Sequence, residues 1–220
     1  SALPSLAMLK SQLKVSLPAS LQQFFFAAGM LTLLIIIGQI GTRELAAVNV
    51  LMTLGLVIIL PAIGFGLATA TLVGNALGRE DPADAKLWGW NAALFVAVLG
   101  LCMGAAVVVF GKPLLGVFLT DPATVDLAFP ALMISAAIIG IDAAGMVLIN
   151  ALLGAGDTAR VMRISIVAQW CLFLPLAALV GPVLGGGLLA VWALQAVYRS
   201  VQAAWFGWVW QQGRWQAIKL

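Results

Sequence analysis

In the stretch IIGIDAAGMVLINALLGAGDTARVMR, from Ile138 to Arg163, a single acid, Asp142, interrupts an otherwise oily run. It lies about 14 residues from the start of that run and about 11 from its end, near mid-membrane if the run crosses lipid. A carboxylate at that depth is costly, so it faces the protein interior or an aqueous cavity. There it can take up a proton, help to hold a sodium ion, or be locked by a hydrogen bond or salt bridge. Arg199 is the other charge at depth, about 12 residues into the last apolar run. It can pair with Asp142, line a cavity, or snorkel toward headgroups. Tyr198 beside it adds a hydroxyl. Gln22, Gln23, Asn49, Asn150 and Gln169 offer donors and acceptors to the same cavity, although each alone also suits interhelical hydrogen bonding.

Other chemistry has no support. Histidine is absent, and Cys102 and Cys171 lie in apolar runs with no ligand spacing, which makes them small core residues. No metal is expected apart from sodium at Asp142, and no cofactor. Gly154, Gly156 and Asp157 read as a helix-ending turn and the start of the next helix, not a phosphate loop. GFGLA (Gly64–Ala68) follows no strand and is a weak dinucleotide signal. There is no nucleophile with a basic partner, so an enzyme is not expected. The basic residues are scattered between oily spans, so nucleic acid is not an expected partner.

The elements that must position these residues follow from composition. Sixty-three per cent of the 220 residues are hydrophobic and 9% are charged, too few for a water-facing surface. The solvent is the lipid bilayer, and spans of about 17 residues or more must be helices, which satisfy their own backbone. The expected fold is an all-α polytopic membrane protein, a single six-helix lobe over residues 1–220. Its spans fall at about 17–40, 46–73, 87–110, 128–153, 164–180 and 188–210. Pro61 and Gly64 are expected to bend the second span. KPLLGVFLTDPATVD (Lys112–Asp126) reads as a short interfacial helix and a new helix start at Asp121-Pro122. With the N-terminus on one side, Lys10, Lys14, Arg79, Lys86, Arg160, Arg163, Arg214 and Lys219 share that side, against Arg43 and Lys112 opposite. The basic side is expected to be cytoplasmic, with both termini of the segment inside and the protein multi-pass in a bacterial inner (plasma) membrane. Trp205, Trp208, Trp210 and Trp215 are expected as interfacial anchors. SALPSLAMLK has no apolar core and is not a signal peptide; without an initiator Met, the chain is expected to be a piece of something longer.

Several stretches resemble the C-terminal half of the multidrug and toxic compound extrusion (MATE) transporters. SLPASLQQ (Ser16–Gln23) resembles the proline opening of that family's seventh helix, and IGTRELAAVNV (Ile40–Val50) its turn into the next. GFGLATATLVGNALGRED (Gly64–Asp81) resembles its small-residue helix and VGN-x-x-G turn. IDAAGMVLINALLGAGDT (Ile141–Thr158) is similar to its tenth helix and glycine turn, and QQGRW (Gln211–Trp215) to its closing basic-aromatic segment. The resemblance implies a twelve-helix protein of two six-helix lobes that exports organic cations by alternating access, driven by proton or sodium antiport. Some sodium-coupled members use an acid on the tenth helix, twelve residues before the glycine of the following turn. Asp142 stands in that relation to Gly154, so the resemblance implies the ion-coupling role for it. The seventh-helix glutamate of those members has no counterpart between Leu17 and Ile40, where only Gln22 and Gln23 lie near the expected depth; the ion type stays open. A second six-helix lobe is the expected partner, in the same full-length chain, in a separate chain or in another copy.

Two rivals remain at this stage. A flippase for lipid-linked or polar metabolites, from the same wider superfamily, would have a more basic cavity centred on Arg199. A non-transporting scaffold subunit would use Asp142 and Arg199 merely to tie helices.

Overall fold

The structure, a computed structural model, describes residues 6–218; of residues 6–11 and Lys14 only the backbone is described. The contribution of Lys10, Lys14 and Lys219 to the basic side, and the character of the first five residues, lie outside that description. Six long helices follow one another: α1 (Leu6–Gly38), α2 (Thr42–Gly78), α3 (Pro82–Phe118), α4 (Pro122–Gly154), α5 (Thr158–Val183) and α6 (Gly187–Gln212). Each connection is three residues, at 39–41, 79–81, 119–121, 155–157 and 184–186. Such short links turn consecutive helices antiparallel, so α4 and α6 run in the same direction. A 3-10 turn, Arg214–Ala217, closes the described chain.

Five helices are long and apolar enough to cross a membrane by length and composition, α1 from Val15 onward and α2 to α5 in full. The sixth is 26 residues, about 39 Å of helix, and more polar. The helices outrun the apolar runs that mark them. The 37 residues of α2 and of α3 make about 55 Å each, well beyond a hydrocarbon layer of about 30 Å. Helical hydrogen bonds close within the segment, so nothing ends the helix where the oil ends. The separate interfacial helix expected after Lys112 is therefore absent: α3 continues through Pro113 to Phe118, held by fully buried Leu115. Asp81-Pro82 and Asp121-Pro122 start α3 and α4. Asp81 Oδ1 accepts from the Asp84 amide at 3.0 Å, and Asp121 accepts from the Ala123 amide at 3.3 Å and the Thr124 hydroxyl at 2.7 Å.

Two buried clusters stack along the bundle. One joins Leu33, Ile37, Leu51, Leu115, Leu132, Phe173, Leu188 and Trp192, from the end holding the 39–41 and 119–121 turns. The other joins Val73, Val96, Val147, Leu152, Phe206, Trp210 and Trp215, from the opposite end. Trp210 and Trp215 are fully buried, stack at 4.0 Å, and use their indole N–H groups on the Lys86 and Trp210 carbonyls. They are core residues, contrary to the expected interfacial role; Trp208 keeps an exposed face. Cys102 and Cys171 are also corrected: both are exposed.

Along α5, two π-helical stretches, Val167–Phe173 and Leu179–Val183, flank or contain Pro175 and Pro182. Proline cannot donate, and the wider turn absorbs the missing bond. The first stretch aims adjacent side chains at α1: Gln169 donates to the Phe26 carbonyl at 3.4 Å and Trp170 to that of Phe25 at 3.0 Å.

Candidate functional site

Asp142 and Arg199 meet. The guanidinium Nη2 lies 2.5 Å from the carboxylate Oδ1, and the two side chains retain only 16% and 13% exposure. The contact follows from two matching helix faces. Asp142, Gly145, Met146 and Ile149 recur at i, i+3, i+4 and i+7 along α4; Arg199, Gln202, Ala203 and Phe206 do so along α6. These eight residues line one small, open recess, and Arg199 Nη1 also donates to Gln202 Oε1 at 3.4 Å. Gly145 lets the helices close: a Cβ there would lie 2.7 Å from that of Ala203. About 18 Å of helix separates Asp142 from the Gly154 end of α4, and about 20 Å separates Arg199 from the end of α6. Parallel helices thus bring the two charges to one level, between the two apolar clusters.

The other predicted residues are distributed differently. Tyr198 sits next to Arg199 but stacks its ring on Phe173 at 4.8 Å. Asn150 packs beneath Gly66 of α2 and donates to the Met146 carbonyl at 2.9 Å. Gln169 is buried in the α1–α5 contact, and Asn49 is exposed and bonded back to the Leu45 carbonyl. Gln23 is exposed and Gln22 half-buried on α1. These asparagines and glutamines do not converge on Asp142. Gln202, which does, is a site residue that the sequence reading leaves out; its spacing of three from Arg199 is the signal that joins them.

The hinge and turn residues also divide. α2 passes unbroken through Pro61; Gly64 has open space where a Cβ would stand, while Gly66 is filled by Asn150. Gly154 is not the left-handed residue of its turn. It ends α4 in direct contact with the Ala70 backbone of α2, and Gly156 carries the positive φ of 80°. Asp157 occupies the position before α5 without a side-chain cap bond; its carboxylate faces Arg160 at 3.3 Å. Burial raises its pKa above the ordinary 3.8, against the pull of Arg160 and Arg163. Among the described residues no group of three or more Cys, Asp or Glu side chains is arranged to hold a metal ion.

Known proteins share this fold. The MatE family profile matches residues 18–179. The chain is similar to a probable multidrug resistance protein NorM of Bradyrhizobium diazoefficiens, 29% identical over 72% of the chain and 35% of the relative. The same-named protein of Brucella suis is 30% identical over 81% of the chain and 39% of its own length. The chain thus spans little more than a third of these relatives. In fold it matches a MATE crystal structure in the straight conformation with a TM-score of 0.86, at 21% identity, covering 96% of this chain and 48% of that one. A MATE structure in the bent conformation matches equally, with a TM-score of 0.86 at 20% identity over 97% and 48%. The six-helix bundle is thus the fold of about half such a transporter, and the chain belongs to the MatE family of multi-pass membrane transporters, not to a family of enzymes.

Proposed function

We propose that this six-helix unit is one lobe of a secondary active transporter that exports organic cations or drugs against an inward flow of protons or sodium ions, with Asp142 as the coupling carboxylate. The observation that carries the reading is the acid's setting. Asp142 lies deep in α4 between two apolar clusters, beside a recess, paired with a cation on a neighbouring helix. Loading it with a proton or ion changes the charge at one level of the α4–α6 seam, and a seam of small residues can repack in response. A second six-helix lobe, in the full-length chain or in another copy, completes the cleft for the substrate. The basic residues of the 79–86 and 157–163 regions and Arg214 favour a cytoplasmic location for that end, and hence for both ends of this segment, in a bacterial inner membrane.

The flippase reading loses its main support because Arg199 is neutralised by Asp142. The scaffold reading retains one observation, the pair itself. Asp142→Asn in the full-length transporter separates the two. Efflux of a fluorescent lipophilic cation from proteoliposomes, driven by a pH or sodium gradient, is expected to fall at least tenfold while the protein remains folded. Undiminished gradient-driven efflux would remove the assigned role.

A further inference from the structure

We infer that Arg199 is a tethered competitor for the coupling cation: it occupies Asp142 in the unloaded lobe, and its release sets how much proton or sodium is needed to drive the seam apart. The inference rests on the coupling role proposed for Asp142 and adds a second residue with a separate task.

Three observations support it. First, the position an incoming cation would take at the carboxylate is occupied by the guanidinium at 2.5 Å. An arginine remains charged under all relevant conditions, so it cannot leave by losing its proton. Second, a cation that neutralises Asp142 leaves that guanidinium as an unpaired buried charge, which is strongly unfavourable. The free energy favouring rearrangement then resides in the arginine. Third, the neighbouring turns of α6 offer it other acceptors. Gln202 Oε1 already accepts from Nη1 at 3.4 Å. Gln195 lies one turn toward the Gly187 end, and its Oε1 is buried without a hydrogen-bond partner among the described residues. Helix side chains lean toward the N-terminal turn, so the carbonyl of Gln195 is within the natural sweep of the Arg199 side chain. An unsatisfied buried acceptor costs stability in the state that leaves it so, and a state that gives it a donor recovers that cost.

Few other charges can intervene. Among the described residues, Arg199 is the one other charged residue lining the recess with Asp142, and Tyr198 is the adjacent titratable group on α6. On the packed neighbours, Arg43, Glu44, Arg79, Glu80, Asp81, Asp84, Lys86, Lys112, Arg160 and Arg163 stand at or near helix ends, well away from that level.

The test is a cation titration of the full-length transporter in proteoliposomes, using efflux of a fluorescent lipophilic cation against sodium chloride steps and, separately, pH steps. In Arg199→Gln, the cation concentration for half-maximal efflux is expected to fall by about tenfold or more, since an opposite charge is removed from the carboxylate. Arg199→Lys should lie between this variant and the parent. Gln195→Leu, which keeps the pair but deletes the second acceptor, should raise the half-maximal concentration severalfold. This variant carries the test if Arg199→Gln does not accumulate as folded protein. Half-maximal concentrations unchanged in Arg199→Gln, or in Gln195→Leu where it alone folds, would overturn the competitor role. If Asp142→Asn abolishes coupling in the same assay, that failure is confined to Arg199; if Asp142→Asn still couples, the underlying transport reading fails with it.

Discussion

Helix α4 presents two different seams to its neighbours. Toward α3 it is close and uncharged: Gly100 and Gly104 meet Gly140 and Ala136 so closely that a Cβ on Gly104 would lie 2.5 Å from the Ala136 carbonyl oxygen. Toward α6 it is also close, at Gly145 and Ala203, but it carries Asp142, Arg199 and Gln202. Small residues bring backbones together in lipid, where no hydrophobic force acts between helices. The first seam uses that closeness for packing alone. The second encloses a charge pair whose interaction changes when one proton or ion is added. The comparison teaches that close helix packing and a chemically addressable contact can occupy one helix if they lie on different faces.

The largest expected effect of a substitution breaks the first seam. Gly104→Leu forces a side chain into the α4 backbone and should destabilise the fold by about 3 kcal/mol or more. In detergent it is expected to lower the melting temperature sharply and reduce folded yield; a parent-like melt would mean that the helices separate freely there. The second seam should respond in the opposite sense. The double variant Asp142→Asn with Arg199→Gln removes both charges, so no uncompensated one is left. It should melt within about 1 kcal/mol of the parent or above it, whereas either single variant should lose about 1–3 kcal/mol. Additive losses in that cycle would show that the pair is not energetically coupled.

A smaller effect is expected outside both charges. Trp192 Nε1 donates to Ser135 Oγ at 2.8 Å, linking α6 to α4 in the first cluster. Ser135→Ala strands that donor and should cost about 1 kcal/mol without altering the cation dependence of efflux. A shift in that dependence would extend the addressable seam beyond the Asp142 level. The smallest effect concerns Asp157 in the turn after α4. Its folded pKa is raised, so the folded protein binds a proton more readily than the unfolded chain does. The stability it contributes is complete below the unfolded value of 3.8 and is lost as pH rises through the folded value. Asp157→Asn should flatten the pH dependence of stability across that acidic window, a change of less than about 1 kcal/mol read from melts in detergent. An unchanged slope would place the titration on another group.

Much of this molecule was legible before its coordinates. Long uncharged runs, Asp-Pro helix starts and glycine-containing turns gave an all-helical membrane protein, because each depends on residues close in the chain. Errors arose wherever the answer depended on a distant neighbour. Trp210 and Trp215 fit a membrane interface by position, yet they stack on each other, and Trp210 buries against Gly89 of α3. Lys112 and Pro113 look like a break, yet Leu115 carries the helix past them into the core. Gly154 suits a helix end by type, yet its close neighbour is the backbone of α2.

The candidate site divides in the same way. The sequence by itself determined that an acid and an arginine lie deep in apolar helices, since depth is counted along a single segment at about 1.5 Å per residue. Only the tertiary structure decided that they touch, that Gln202 joins them, and that Asn49, Asn150 and Gln169 do not. Those outcomes depend on the rotation of α4 and α6 about their axes. That rotation is selected by where small residues on both helices allow close approach, at Gly145 against Ala203, and neither helix specifies it alone.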